Sequence, residues 1–273
     1  MPRRQPISLS SSVALLTGAT GGIGGTIART LADRGARLIV TGRQADALSR
    51  LESELGARAI ACDLADRRDV KRLAEQAVEA GVDVLVANAA HHGTGLLVDL
   101  GQDEIDRMLE INLRAPIALA RAVAPMMVSR GRGHMVFISS LSGKAVGPAS
   151  SLYSATKFGL RGFALALRED LHSHGVGVSV VLPGFISDAG LFADAGGKVK
   201  LPPGAGTKTP EQVSAAVVRA IERNRAELDV APLSLRIGAS FASVAPGAAA
   251  VGSRLLGSHR IAADIAEGHR AKP

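Results

Sequence analysis

Two residues of the chain stand at a spacing suited to moving a proton. Tyr153 and Lys157 lie four apart in Tyr153-Ser154-Ala155-Thr156-Lys157, which opens a long helical pattern. Residues i and i+4 share one face of a helix. A phenol ordinarily titrates near pH 10, and a neighbouring ammonium favours its phenolate. Bringing it to about 7 takes roughly 3 units, or about 4 kcal/mol, within reach of a close buried cation and a positively charged cofactor ring. Tyr153 is the only tyrosine in 273 residues, whereas packing alone is met by phenylalanine, used six times. Thirteen residues upstream stands Ser140, at the end of an apolar run. A hydroxyl there could bond a substrate carbonyl and the oxyanion growing on it. Ser139 and Ser142 compete for that role by position.

A second constellation is built for phosphate. The apolar run Val13–Thr17 leads into Gly18-Ala19-Thr20-Gly21-Gly22-Ile23-Gly24, and a helical pattern follows. Glycines after a first strand permit a tight turn, close approach of backbone to a pyrophosphate, and close helix–strand packing. Amide groups at the helix N-terminus then face the anion. The run of the second strand ends Val40-Thr41-Gly42-Arg43. A site for NAD usually carries a carboxylate there, for the ribose 2′-hydroxyl. Here no carboxylate occupies the spot, and the guanidinium of Arg43 could grip a 2′-phosphate bidentately. The pattern predicts NADP(H) in preference to NAD(H). Asp63-Leu64 closes the third run, and its carboxylate is placed either for an adenine amino group or for capping the next helix.

These residues need a frame. Apolar, β-branched runs fall at Val13–Thr17, Arg37–Thr41, Ala57–Ala61, Val82–Ala87, His134–Ser139, Gly177–Leu182 and Leu228–Ala231. Most are continuously apolar, as expected of strands buried on both faces. Helical patterns lie between them, at about 22–34, 44–55, 66–80, 102–130, 151–174 and 210–224. The alternation predicts an α/β fold, a doubly wound Rossmann-type parallel sheet of about seven strands. One domain is expected over 8–232, followed by a C-terminal helical extension over 233–273. Composition narrows the partners. Hydrophobic residues make up 47% and charged residues 21%, which argues against disorder. A single cysteine, Cys62, excludes an internal disulfide and points to a reducing, cytoplasmic setting. The net charge of +7 suits anionic ligands. The chain lacks Trp and the basic residues are interleaved with acids, so no nucleic-acid platform is expected. No uninterrupted apolar stretch of about 18 residues occurs, and no transmembrane segment is expected.

Taken together, Thr17-Gly18-x-x-x-Gly22-Ile23-Gly24, Ser140, Tyr153-x-x-x-Lys157 and Pro183-Gly184 resemble the short-chain dehydrogenase/reductase family, in its short single-domain branch. The resemblance covers about residues 8–232. It implies that Tyr153 is the general acid in carbonyl reduction and the base in alcohol oxidation. Lys157 would lower the phenol and hold the nicotinamide ribose. Ser140 would polarise the carbonyl, and Asn112 would support a water-linked proton relay with the lysine. Cofactor contacts would come from Gly18, Thr20, Gly22, Ile23, Gly24, Arg43, Asp63, Leu64, Asn88, Tyr153, Lys157, Pro183, Gly184 and Ile186. Hydride would pass between the nicotinamide and a substrate carbon. A homodimer or homotetramer is implied, built on the helices near 102–130 and 151–174.

The chain departs from the family at two points. The usual Asn-Asn-Ala-Gly reads Ala87-Asn88-Ala89-Ala90, and the usual Thr after Pro183-Gly184 is Asp188, with Ser187 before it. Residues 185–208 are expected to fold over the substrate, with Phe185, Leu191, Phe192 and Val199 as an apolar wall, and Ser142 is a further substrate candidate. That wall favours a fairly apolar carbonyl or secondary alcohol as the small-molecule partner. His91 and His92 are read as pocket lining, and no metal is expected. Two rival readings are a dinucleotide sensor without catalysis and a nucleic-acid binder. The first has no need of the full set Asn112, Ser140, Tyr153 and Lys157.

Overall fold

The computed structural model describes residues 7–93, 95–187 and 206–255, without the side chains of 253–255. Among the described residues seven strands form one sheet: β1 Val13–Thr17, β2 Arg37–Gly42, β3 Arg58–Ala61, β4 Val84–Ala87, β5 Gly133–Ile138, β6 Val176–Pro183 and β7 Glu227–Val230. Their spatial order is β3-β2-β1-β4-β5-β6-β7, and every pairing is parallel. Among the described residues the helices are α1 Gly22–Asp33, α2 Ala45–Leu55, α3 Arg67–Glu79, α4 Gln102–Leu109, α5 Ala115–Ser129, α6 Ser151–Leu171 and α7 Pro210–Arg223. Two more follow the last strand, α8 Leu233–Val244 and α9 Pro246–Leu255. The Rossmann-type sheet expected from the apolar runs is the one observed.

The reason lies in the side chains of the strands. Successive residues point to opposite faces, and both faces are covered. Leu15, Leu85, Met135 and Phe137 pack on one face with residues of α3, α5 and α6. Leu16, Val86, Val136 and Ile138 pack on the other with α1, α2 and α7. Phe137 is wholly buried and meets Phe163 of α6 edge-on, with centroids 5.6 Å apart. Strand ends differ slightly from expectation. Val82 and Asp83 precede β4, and the Asp83 carboxylate accepts the Val13 amide at 3.1 Å and pairs with Arg132 at 2.9 Å.

The pattern expected as one helix over 102–130 is interrupted. A π-turn, Glu110–Arg114, joins α4 to α5 and carries Asn112 inside it. Such insertions gather at functional positions. The run Gln102–Ser129 is also long and apolar enough to cross a membrane, with a mean hydropathy of 1.2. Counting uninterrupted apolar residues overlooks it, because charges punctuate its first half. Its inner face, Ile111, Ala115, Leu119, Val123 and Met127, is instead packed in the core.

Phe137 closes the layer between sheet and α6, so Phe137→Ala should cost about 3–5 kcal/mol in unfolding free energy. Urea denaturation reads it directly. A loss below about 1 kcal/mol would mean that the layer is not closed by this side chain.

Candidate active site

In an open parallel sheet, ligands bind beyond the carboxyl ends of the strands, where the strand order reverses. Here that point lies between β1 and β4. Gly18 follows β1, Asn88 follows β4, Ser140 lies just past β5 and Pro183 ends β6. The residues singled out from the sequence therefore converge on one rim.

The glycine turn is tight for steric reasons. Gly18 has φ +68°, and a Cβ there would lie 2.7 Å from the Ala89 Cα. A Cβ on Gly24 would stand 2.0 Å from the Gly18 carbonyl oxygen. Asn88 locks the turn from β4. Its Nδ2 donates to the carbonyls of Thr17 and Gly18 at 3.0 and 3.2 Å. Thr17, the strand end that opens the glycine motif, accepts the amides of Asn88 and Ala89 on its Oγ1, both at 3.1 Å. Asn88 thus acts through the turn. Helix α1 begins at Gly22 after an extended Gly21, and no side chain caps it. Its first amides are left to an anion from outside. A turn packed this tightly, running into an uncapped helix start, fits the pyrophosphate of a dinucleotide.

At the far end, Arg43 is exposed just past β2, in no ion pair among the described residues. Gly42 before it has a reason visible only in space: its Cβ would press the Thr20 side chain at 2.8 Å. Asp63 does not cap α3; that role belongs to Asp66, whose side chain accepts the Arg68 amide at 2.8 Å. Asp63 instead accepts the Ala65 amide at 3.1 Å and the Arg107 guanidinium at 3.3 Å on both oxygens. Leu64 is buried beneath it. Arg107 was not anticipated, because 44 residues separate the pair. His91 is held below its usual pKa, first by burial, then by Arg107, with Arg43 adding to the effect. The two arginines and His91 therefore share one neighbourhood.

The residues expected to move a proton lie between β5 and α6. Tyr153 is 6% exposed, and Ser140, whose hydroxyl donates to the Pro183 carbonyl at 3.5 Å, lies near enough to act on its titration. Lys157 is 2% exposed. Its Nζ donates to the Ile138 carbonyl at 3.0 Å and stands 5.6 Å from the centroid of the Tyr153 ring. Burial pushes the phenol up to about 12, with the nearby Ser140 hydroxyl opposing it. Burial lowers the Lys157 ammonium to about 8. Burial among the chain's own residues thus moves the phenol away from neutrality. The ammonium is aimed at a carbonyl across the ring face. His92 lies tilted on the same ring, centroids 5.9 Å apart.

Ser139 is removed from the competition with Ser140: it is buried and donates to the Lys157 carbonyl at 2.9 Å. Ser140 opens a one-turn helix, Leu141–Gly143, and its Oγ accepts the Ser142 amide at 3.1 Å. Asn112 is fully buried in the π-turn, and its side chain is committed to protein partners. It accepts the His91 amide at 2.6 Å and donates to the His91 carbonyl at 2.9 Å and to Thr156 Oγ1 at 3.2 Å. It fixes the loop after β4 against α6. Past β6, Gly184 bonds β7 through the Val230 carbonyl at 3.0 Å. Ile186 is buried and forms a parallel bridge with Lys208, flanked by bonds of Lys208 to Phe185 and of Ser187 to Lys208, both 2.9 Å. Phe185 and Ser142 are half-buried near the rim. Phe192 and Asp188 lie outside the described residues, with the rest of 188–205.

The profile of the short chain dehydrogenase family matches residues 12–196. The chain belongs to the short-chain dehydrogenase family. Short-chain dehydrogenases are oxidoreductases that work at CH–OH groups, and this chain is one of them. It is 36% identical over 230 residues to a ketoacyl reductase, HetN, of a Nostoc species, covering 82% of this chain and 79% of that one. A metagenomic short-chain oxidoreductase solved in complex with NADP is 34% identical, with a TM-score of 0.68, over 83% of this chain and 98% of that one. A bulky-bulky ketone specific alcohol dehydrogenase from Comamonas testosteroni is 27% identical, with a TM-score of 0.70, over 81% and 86%.

The buried lysine of this short-chain dehydrogenase leaves a mark on stability. Between about pH 8 and 10.5 the unfolded chain holds a proton at Lys157 that the folded chain has released. Stability therefore climbs with pH over that window. From about 10 to 12 the folded chain keeps a proton on Tyr153 that the unfolded chain has lost, and stability falls. Lys157→Met should be more stable than the parent near neutrality and should lack the climb. Urea titrations at a series of pH values check it; a climb that survives would assign the released proton to another group.

Proposed function

We propose that the chain is an NADP(H)-dependent enzyme that interconverts a carbonyl and a secondary alcohol on a fairly apolar small molecule, with Tyr153 as acid and base. The observation that carries this reading is the set between β5 and α6: a buried phenol near Ser140, with the buried Lys157 Nζ 5.6 Å from the centroid of its ring. A sensor would need the glycine turn alone.

The dinucleotide would lie across the rim, its pyrophosphate on the turn Gly18–Gly24 with Thr20, Gly22 and Ile23. Asp63 and Leu64 would border the adenine, Asn88 the adjacent ribose, and Pro183, Gly184 and Ile186 the nicotinamide end. When bound, it supplies or accepts the hydride. Ser140 Oγ orients the substrate oxygen and stabilises charge growing on it. The Tyr153 hydroxyl gives its proton to that oxygen in reduction and takes it back in oxidation. Lys157 Nζ, buried behind the ring, adds positive charge where the phenolate forms. Asn112 contributes position, by clamping His91 to Thr156.

The preference for NADP(H) rests on Arg43, exposed past a strand with no carboxylate at its end. The NADP bound to the metagenomic relative supports it. An apolar substrate is supported by the rim. The Gly95 amide donates to the Ala149 carbonyl at 2.9 Å, joining two segments that expose Leu96, Leu97, Val98 and Val146. The ketone named for the Comamonas relative and the ketoacyl substrate named for the Nostoc relative agree with that class. Leu109 and Phe158, exposed on α4 and α6, support a homodimer or homotetramer across those helices. A lone buried thiol, pushed up to about 11 by burial, supports a cytoplasmic setting.

The experiment follows nicotinamide fluorescence as NADPH and NADH are titrated separately, against a background without Trp. NADPH should bind the more tightly, and Arg43→Ala should weaken it about tenfold and erase the preference. Equal binding of NADH would refute the role of Arg43. Tyr153→Phe should keep NADPH affinity and lose about 10²–10⁴-fold in the turnover of an apolar ketone panel. Turnover that survives the substitution would remove Tyr153 from the chemistry.

A further inference from the structure

We propose that Lys144 is a positioning residue that fixes Ser140 against Tyr153, by tying the turn behind Ser140 to β7 and to helix α8. The inference rests on the reading of Ser140 given above.

Lys144 ends the one-turn helix Leu141–Gly143 and is 6% exposed. Its Nζ forms ion pairs with Glu227 and with Asp229, the latter at 2.7 Å, both on β7. Two further cations complete the cluster. Arg161 of α6 meets Glu227 at 2.6 Å, and Arg236 of α8 approaches Asp229 at 4.0 Å. The backbone of Lys144 is fixed as well. Its amide donates to the Leu141 carbonyl at 2.9 Å, and its carbonyl accepts the Ser243 hydroxyl of α8 at 3.0 Å. On the opposite side the turn is flush with α6. A Cβ on Gly143 would stand 2.7 Å from Ser139 Oγ and 2.8 Å from the Lys157 carbonyl oxygen. The turn that presents Ser140 is thus gripped between α6 on one side and β7 with α8 on the other.

Stability is a poor account of such a cluster. Desolvating several charges offsets most of their attraction, and an apolar side chain of similar volume commonly serves as well. What the ammonium between two carboxylates adds is a tether: its N–H groups hold two oxygens on β7, while the Ser243 hydroxyl and the Leu141 carbonyl hold the backbone of the same residue. Ser140 lies four residues away on the same turn and takes its own orientation from the Ser142 amide. Displacing the turn by a fraction of an ångström would misplace a hydroxyl whose use depends on geometry. Helix α8 is part of the same brace, since it reaches the turn through Ser243 and the cluster through Arg236.

Tyr153 is the only tyrosine, so a carbon-13 label at its Cζ reports on one phenol without any substrate. The resonance is recorded in full-length protein at neutral pH for the parent, Ser140→Ala, Lys144→Arg, Lys144→Met, and Lys144→Met combined with Asp229→Asn. The double variant removes the carboxylate that loss of the lysine strands, which protects folding. Thermal midpoints and NADPH affinity accompany each. Ser140→Ala should shift the resonance. The double variant should shift it the same way, by about half as much or more, with NADPH affinity within about twofold of the parent. Lys144→Arg should restore the parental position. A double variant that folds and keeps the parental resonance, while Ser140→Ala moves it, overturns the assignment of Lys144. A Ser140→Ala resonance that does not move overturns it too, by removing the contact to be positioned. Failure of the carbonyl reading would appear in the turnover of Tyr153→Phe and leaves these shifts unaffected.

Discussion

Parallel pairing of strands forces a geometry on everything else in the molecule. Each strand must be re-entered from the same end, so each chain segment leaves the sheet on the same edge. The residue that follows a strand is then a neighbour of residues that follow the others, however distant in sequence. Gly18, Gly42, Asp63, Asn88, Ser140 and Gly184 become neighbours for this reason alone. The sheet that makes them neighbours is held by burial on both faces, with Leu15 and Leu16, or Phe137 and Ile138, facing opposite ways. The site is therefore a consequence of core packing, and its own polar groups contribute only the final adjustments.

Those adjustments follow one rule. Groups that must present an amide or hydroxyl to a ligand are held by neighbours that present nothing. Asn88 spends its side chain on the glycine turn, Asn112 on the backbone of His91, and Ser139 on the carbonyl of Lys157. Lys157 is the costliest member, a cation set behind an aromatic ring with burial pulling its pKa to about 8. Burial of the same spot raises the phenol, so the pair stores opposite electrostatic tendencies on one face of α6. A positive charge arriving over the rim is the natural complement to such a pair.

Much of this was legible in the sequence where it depended on local pattern. Val13–Thr17 is the strand expected, because five buried residues run straight into a glycine turn. The spacing from Tyr153 to Lys157 and the missing carboxylate before Arg43 are likewise local. What stayed hidden depends on partners far along the chain. The fork of Arg107 on Asp63 spans 44 residues, and the bond from Lys144 to Asp229 spans 85. The π-turn at Asn112 was hidden for another reason: apolar periodicity does not register one inserted residue. The burial of Tyr153 and Lys157 was hidden too, because a sequence shows that two groups are near and says nothing of how much water each has lost.

The bridge between Ile186 and Lys208 has a consequence for how such a protein diversifies. It brings together two points of the chain that are 22 residues apart and secures them with backbone bonds, independent of side-chain identity. The bridge holds Phe185, Ile186 and Ser187 at the rim through main-chain groups, so exchanging any of those three side chains leaves the path of the backbone there as it is.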